Sequence, residues 1–231
     1  MENEHNQKNT KNKHIFYRKY VKRFLDIFLS FIALIVLSIP LLVTAIIVRI
    51  KLGSPILFTQ ERIGMNEKPF KILKFRSMTN ERDTNGDLLP DAQRLTKFGK
   101  LLRTTSFDEL PALLNIIKGD MSIVGPRPLP VIYKPYFTKE ERVRHTVTGG
   151  LTGLAQIRGR NNLSWEEKFG YDIEYVNHIS FLYDARIVFE TIGKVLLRKD
   201  VGVRGIQGAG DLNKLRKDMV EKQDISKDTI S

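Results

Sequence analysis

One stretch limits what this chain can become more than any other. Residues 24–48, FLDIFLSFIALIVLSIPLLVTAIIV, are almost wholly apolar and long enough to cross a bilayer as a helix. Two details argue against a simple crossing. Ser38-Ile39-Pro40 interrupts the block past its middle, and a proline inside a helix removes a hydrogen bond and bends it. Only about sixteen residues precede the proline, roughly 24 Å of helix against a hydrocarbon core of ~30 Å. The flanks are positive on both sides, with Arg18, Lys19, Lys22 and Arg23 before and Arg49 and Lys51 after. Such flanks favour the cytoplasm, so a segment with both ends there enters and comes back. The reading is a broken, re-entrant helix, with Ser38 placed to satisfy a backbone group freed by Pro40. The alternative is an ordinary kinked transmembrane helix. Asp26, an acid inside the block, lies near its end and has Arg23 as an i,i+3 neighbour for a pair at the interface.

The surroundings fit a membrane surface. IFYRKYVKRF interleaves Phe16, Tyr17 and Tyr20 with cations, the composition of an interfacial collar that meets lipid phosphates. Residues 1–14 are polar and Lys/Asn-rich and read as a disordered leader. The net charge of +12 calls for an acidic partner. No helix-turn-helix, RNP box or zinc finger is visible, so nucleic acid is not expected. The absence of cysteine excludes a disulfide framework, a thiolate zinc site and a cysteine nucleophile. The four histidines are scattered, and none pairs at metal-ligand spacing.

Beyond the block, residues 52–200 read as one domain. Gly53-Ser54-Pro55 is a turn, Ile56–Thr59 a short strand, Gln60–Gly64 a polar turn and Pro69–Phe75 a second strand of a hairpin. The hairpin delivers Lys74-Phe75-Arg76, two cations around an aromatic ring, which suit a phosphate pocket or simply a charged hairpin end. Asn80–Gln93 is a polar surface loop whose acids lack EF-hand spacing. Leu95–Arg103 is a short basic amphipathic helix, either packed on the core or lying on an anionic surface.

Thr104–Pro128, TTSFDELPALLNIIKGDMSIVGPRP, carries the chemistry. Asp108 and Glu109 stand side by side, and two adjacent carboxylates repel unless a cation or a task holds them together. Arg103 precedes them and Arg127 follows in a Gly-Pro-Arg-Pro turn. Flanking prolines fix a backbone, and a rigidly framed guanidinium suits a fixed anion, most simply a phosphate. The plainer reading is that Thr105 or Ser106 caps a helix with the two acids in its first turn. Leu113, Leu114, Ile116 and Ile117 would form that helix's apolar side, and Lys118-Gly119 would end it.

Farther on, Tyr133 and Tyr136 offer aromatic surface for a base or sugar, and Lys139–His145 reads as a charged helix. The glycines of Gly149–Gln156 give room for a ligand near the backbone, and Arg160 follows with another guanidinium. Trp165–Val176 and Phe181–Leu197 are amphipathic helices, the second with an apolar face of Leu182, Ala185, Val188, Phe189, Ile192 and Leu196 and with Asp184 near its start. Residues 201–231 form a polar tail.

In their order these segments resemble the bacterial sugar transferases, or monotopic phosphoglycosyl transferases. The likeness runs from about Lys22 to about Leu197. It rests on KRFLDI, the broken apolar helix, SPILFTQERIG, KILKFRSM, TSFDELPALLNIIKGDMSIVGPRP, GLTGLAQIRGRN and SFLYDARIVFETIGKVL. One departure is the isoleucine that separates serine from proline at the break. The resemblance implies an α/β (α+β) fold, in which a re-entrant membrane helix (residues 15–51) carries a small cytosolic catalytic domain of amphipathic helices and short strands. It implies a monotopic enzyme on the cytoplasmic face of the cell membrane. That enzyme would transfer a sugar 1-phosphate from a UDP-sugar to polyprenyl (undecaprenyl) phosphate and release UMP. Asp108 would be the nucleophile that carries the phosphosugar. Glu109, with Asp108, would hold Mg2+. Lys74, Arg103, Arg127, Arg160 and, less directly, Asp184 would bind phosphate and substrate. The rival from another class is a non-enzymatic, membrane-anchored module that docks anionic lipid; it has no use for an acid pair beside framed arginines.

Overall fold

The apolar block folds as two helices that meet at an angle. The computed structural model describes residues 15–159, 162–197 and 210–217. It begins with a π-helical turn over Tyr17–Val21, then α1 (Lys22–Val36) and α2 (Ser38–Leu52). The halves Tyr17–Val36 and Ser38–Leu52 are bent by 65°. The break itself is Leu37, which leaves helical geometry at φ −91°, ψ 5°. Pro40 falls in the first turn of α2, where an N–H has no partner within its own helix, so the ring permits α2 while denying α1 a straight continuation. The hydroxyl that returns to the backbone here belongs to Thr44, which donates to the Pro40 carbonyl at 2.8 Å. This is an ordinary serine/threonine back-bond to the carbonyl four residues earlier, not the capture of a group freed by Pro40 that was expected of Ser38. Among the described residues no single helix is long and apolar enough to cross a membrane.

The bent pair turns its apolar side outward and its polar residues inward. Phe24, Phe31, Val36, Ile39 and Leu42 are exposed, while Asp26, Ser30 and Thr44 are buried. Asp26 accepts a hydrogen bond from the Ile123 N–H at 2.9 Å. Arg23 donates to the carbonyls of Ile116 and Ile117 at 2.5 and 2.7 Å. The expected Asp26–Arg23 pair thus gives way to docking, because both groups find buried backbone partners that a lone helix lacks. At the far end, Arg76 donates to the carbonyls of Leu52 and Ser54 at 3.2 and 2.6 Å and closes α2.

Next comes an antiparallel hairpin of β1 (Leu57–Ile63) and β2 (Pro69–Phe75), with Leu57 opposite Phe75 and Ile63 opposite Pro69. The polar turn expected at Gln60–Gly64 is mostly strand: Glu61 faces Lys71, so its charge serves a cross-strand neighbour. The turn lies over Met65–Glu67, where Asn66 takes a positive φ of 54°. After α3 (Asp91–Arg94), α4 (Lys97–Thr104) starts at Thr96, whose side chain accepts from the Gly99 N–H. A 3-10 turn over Phe107–Ala112 leads into α5 (Leu113–Lys118), which ends at Gly119 with φ 104°. Asn115 of α5 accepts from the Leu73 N–H and donates to the Lys71 carbonyl, both at 2.9 Å. One side chain thereby stands in for a third strand along β2.

β3 (Ser122–Val124) and β4 (Gly150–Thr152) pair in parallel. A Cβ on Gly150 would lie 2.1 Å from the Gly125 nitrogen. These glycines make room for a neighbouring backbone rather than for the ligand the sequence anticipated. The remaining helices are α6 (Leu154–Arg158), α7 (Trp165–Asn177), α8 (Phe181–Leu196) and α9 (Leu212–Leu215). Val124, Leu154, Ile157, Tyr175 and Ile187 form a core between β3 and α6–α8. Ile72, Leu113, Ile116 and Met121 form another beneath the hairpin.

Two expectations change here. Much of the apolar face assigned to α8 points outward: Leu182 is 78% and Phe189 74% exposed, while Asp184 and Ile187 face the core and Val188 packs beside them. Asp184 sets this phase by accepting from Tyr17, Lys22 and Tyr175 at 2.7, 2.6 and 2.7 Å. Within the segment read as a polar tail, Leu212 is fully buried, and Arg216 pairs with Glu141 and Glu166, each at 2.7 Å. The leader expected over residues 1–14 lies outside the described residues.

Candidate active site

Asp108 and Glu109 occupy the 3-10 turn Phe107–Ala112, 5% and 3% exposed. Ser106 before them is left-handed at φ 60° and makes no capping bond. The capping explanation for the acid pair therefore falls away, because an αL residue aims its side chain away from the first-turn N–H groups. Two elements instead converge on Glu109. Lys74 from β2 donates to its Oε1 at 2.6 Å, and Arg127, from the turn after β3, donates to the same oxygen at 2.5 Å. Arg127 also faces Oε2 at 3.4 Å. Two cations on one buried carboxylate leave positive charge over, which suits an incoming anion.

Burial shapes these cations differently. Desolvation pulls the Lys74 ammonium down to about 8, and Glu109 only partly offsets it. Burial also works against the Arg127 charge, but Glu109 and then Asp108 outweigh it and hold Arg127 above its ordinary value.

Asp108, Lys74, Arg103 and Arg127 line one cavity of about 620 Å3. Arg103 donates to the Ser77 hydroxyl at 2.9 Å. The structure thus brings Asp108, Glu109, Lys74, Arg103 and Arg127 together. It does not bring Asp184 to the cavity: that carboxylate joins the N-terminal helix to α7 and α8, and its three partners explain its burial. Ser38 and Pro40 lie at the helix break, away from the cavity wall. Arg160 is outside the described residues. The aromatic surface expected from Tyr133 and Tyr136 packs instead against Ile63, Phe137 and Phe169.

Several wall residues were not anticipated, among them Arg62, Arg144, Gln156, Trp165, Phe169 and Asp172. Arg144 sits in a stretch read simply as a charged helix, yet it is buried, bonds Asp172 at 2.8 and 2.9 Å, and donates to the Arg127 carbonyl at 2.6 Å. Desolvation raises the Asp172 carboxyl above its usual range despite Arg144. One signal was available in the sequence: Asp172 falls between Phe169 and Tyr175 at helical spacing, an acid on the buried stripe of α7. Among the described residues no cluster of three His, Cys, Asp or Glu side chains marks a metal centre.

A buried acid thus lies in a pocket of fixed cations, beside a helix pair with an apolar exterior. The family model described as "Bacterial sugar transferase" matches residues 17–198. The chain belongs to the bacterial sugar transferase family and is an enzyme of that class. It is 49% identical over 181 residues to the Bacillus subtilis (strain 168) protein "Uncharacterized sugar transferase EpsL", covering 78% of this chain and 90% of that one. It is 40% identical over 193 residues to a Klebsiella pneumoniae UDP-glucose:undecaprenyl-phosphate glucose-1-phosphate transferase, covering 77% of this chain and 40% of that one. It is 34% identical over 185 residues to an Aeromonas hydrophila UDP-N-acetylgalactosamine-undecaprenyl-phosphate N-acetylgalactosaminephosphotransferase, covering 77% of this chain and 44% of the relative. The chain thus spans less than half the length of those two relatives.

Proposed function

We propose that this enzyme transfers a sugar 1-phosphate from a UDP-sugar to undecaprenyl phosphate, as the names of its relatives read, and does so in two steps through Asp108. A carboxylate oxygen of Asp108 bonds to the phosphorus that bears the sugar. The bond from that phosphorus to the bridging oxygen breaks, and UMP leaves with the electron pair. An oxygen of the lipid phosphate then attacks the same phosphorus and frees Asp108, so one difficult transfer becomes two easier ones. The observation that supports this reading best is the position of Asp108 on a cavity wall shared with Lys74, Arg103 and Arg127. These cations hold the phosphates in place and stabilise the charge that builds during transfer.

Mg2+ belongs to the same proposal. Magnesium binds through one or two carboxylates plus substrate phosphates rather than in an all-protein cage, and adjacent Asp108 and Glu109 fit that donor set. The ion would supply charge neutralisation for the diphosphate and the leaving nucleotide. Glu109 already accepts from Lys74 and Arg127, so its share in holding the ion frees a cation to turn toward the substrate. The bent helices α1 and α2, with cationic flanks and inward polar residues, are proposed to lie re-entrant in the cytoplasmic leaflet, where a lipid phosphate sits at headgroup depth. The reaction would open the assembly of an exopolysaccharide or capsule on its lipid carrier.

The test is release of UMP from a UDP-sugar with no lipid acceptor present. A burst equal to the enzyme concentration is expected, and Asp108→Asn should abolish both burst and turnover. Active enzyme without a burst would mean direct, one-step transfer.

A further inference from the structure

Among the buried hydrogen-bonding atoms on the cavity wall that no described residue satisfies are Nε2 and Oε1 of Gln156 and Oδ1 of Asp172. Gln156 is only 9% exposed. Its side chain folds back over Gly153, where an added Cβ would come within 2.8 Å of Oε1. Buried polar groups in native proteins almost always have partners, and an exception calls for a ligand or a task.

The chemistry of the orphaned atoms identifies what would complete them. A carboxamide presents one donor and one acceptor in a plane. The imide edge of uracil, an N–H beside a carbonyl oxygen, is its complement. Trp165 and Phe169 line the same cavity, and aromatic walls receive a flat ring well. The free oxygen of Asp172 is an acceptor, as a ribose hydroxyl requires. The cations around Asp108 take the diphosphate. We infer that Gln156 fixes the uracil of the nucleotide through a pair of hydrogen bonds. This rests on the UDP-sugar reading above. Cytosine carries the same two functions in reverse order, and an amide turned over would accept it. The probe that isolates the contact is therefore a uracil methylated at N3.

The experiment titrates UMP, N3-methyl-UMP and pyrophosphate calorimetrically into the full chain and into Gln156→Met, a substitution of similar volume. The unaltered protein should bind UMP at least tenfold tighter than N3-methyl-UMP, since one bidentate amide–base contact discriminates by about ten- to a hundredfold. Gln156→Met should lose that advantage for UMP, bind both nucleotides alike, and keep its pyrophosphate affinity. It should also melt no lower, because the orphaned polar atoms are gone. Equal binding of UMP and N3-methyl-UMP by the unaltered protein overturns the inference without need of any variant. So does unchanged UMP affinity in Gln156→Met, and a variant that keeps UMP but loses turnover would place the amide against the sugar. If the base contact behaves as expected and no UDP-sugar yields UMP, the proposed reaction fails and the contact stands.

Discussion

Lys74 is charged in a place that resists charge. Its value of about 8, held down by burial, makes it the titrating member of the cation set. The kcat/KM for UMP release should fall as pH rises through about 8, since that ratio reports the free enzyme. Lys74→Arg should move this limb out of reach, because a guanidinium stays protonated. Stability should run the other way. Between about 8 and the ordinary lysine value of 10.5 the unfolded chain holds the proton that the folded one has lost, so resistance to urea rises there with pH. A rate flat to pH 10 would remove Lys74 from phosphate binding. The acids and Arg127 were legible in the sequence because the features that mark them are local: an adjacent pair, and an arginine between prolines. Arg144, Asp172 and Gln156 were not, because their meaning comes from contacts across the fold. Arg144 reaches Asp172 28 residues away and the Arg127 carbonyl 17 residues away.

Among the elements, most helix and strand types followed from periodicity, the end of β1 read as a polar turn being an exception, whereas the faces they present did not. Spacing alone put Leu182 and Phe189 on one side of α8, but the burial of Asp184 beneath Tyr17, Lys22 and Tyr175 decided which side meets the core. Asn115 likewise reads as an interruption in an apolar helix until β2 is seen beside it. Asp184→Ala strands a nearly buried lysine and the Tyr17 hydroxyl, and losing one partner of such a cluster costs about 3–5 kcal/mol. Denaturation of that variant in detergent should show a loss of this size, with UMP affinity unchanged. Weakened UMP binding at full stability would return Asp184 to the substrate site.

For the whole molecule, the question is whether α1 and α2 take the re-entrant place in a bilayer proposed for them. The chain has no cysteine, so single replacements report cleanly. Lys19→Cys and Lys51→Cys should both react with an impermeant maleimide in inside-out vesicles and neither in intact cells. Labelling of one from outside would make the segment a span. Arg76 gives the arrangement a further property. It is two positions beyond Lys74 and grips the carbonyls of Leu52 and Ser54 at the end of α2. The helix pair and the reaction chamber are thereby joined by a short strut. If α1 and α2 sit in a leaflet as proposed, a bilayer a few ångströms thinner should tilt the entire body and leave the distance from the helix pair to Asp108 as it was.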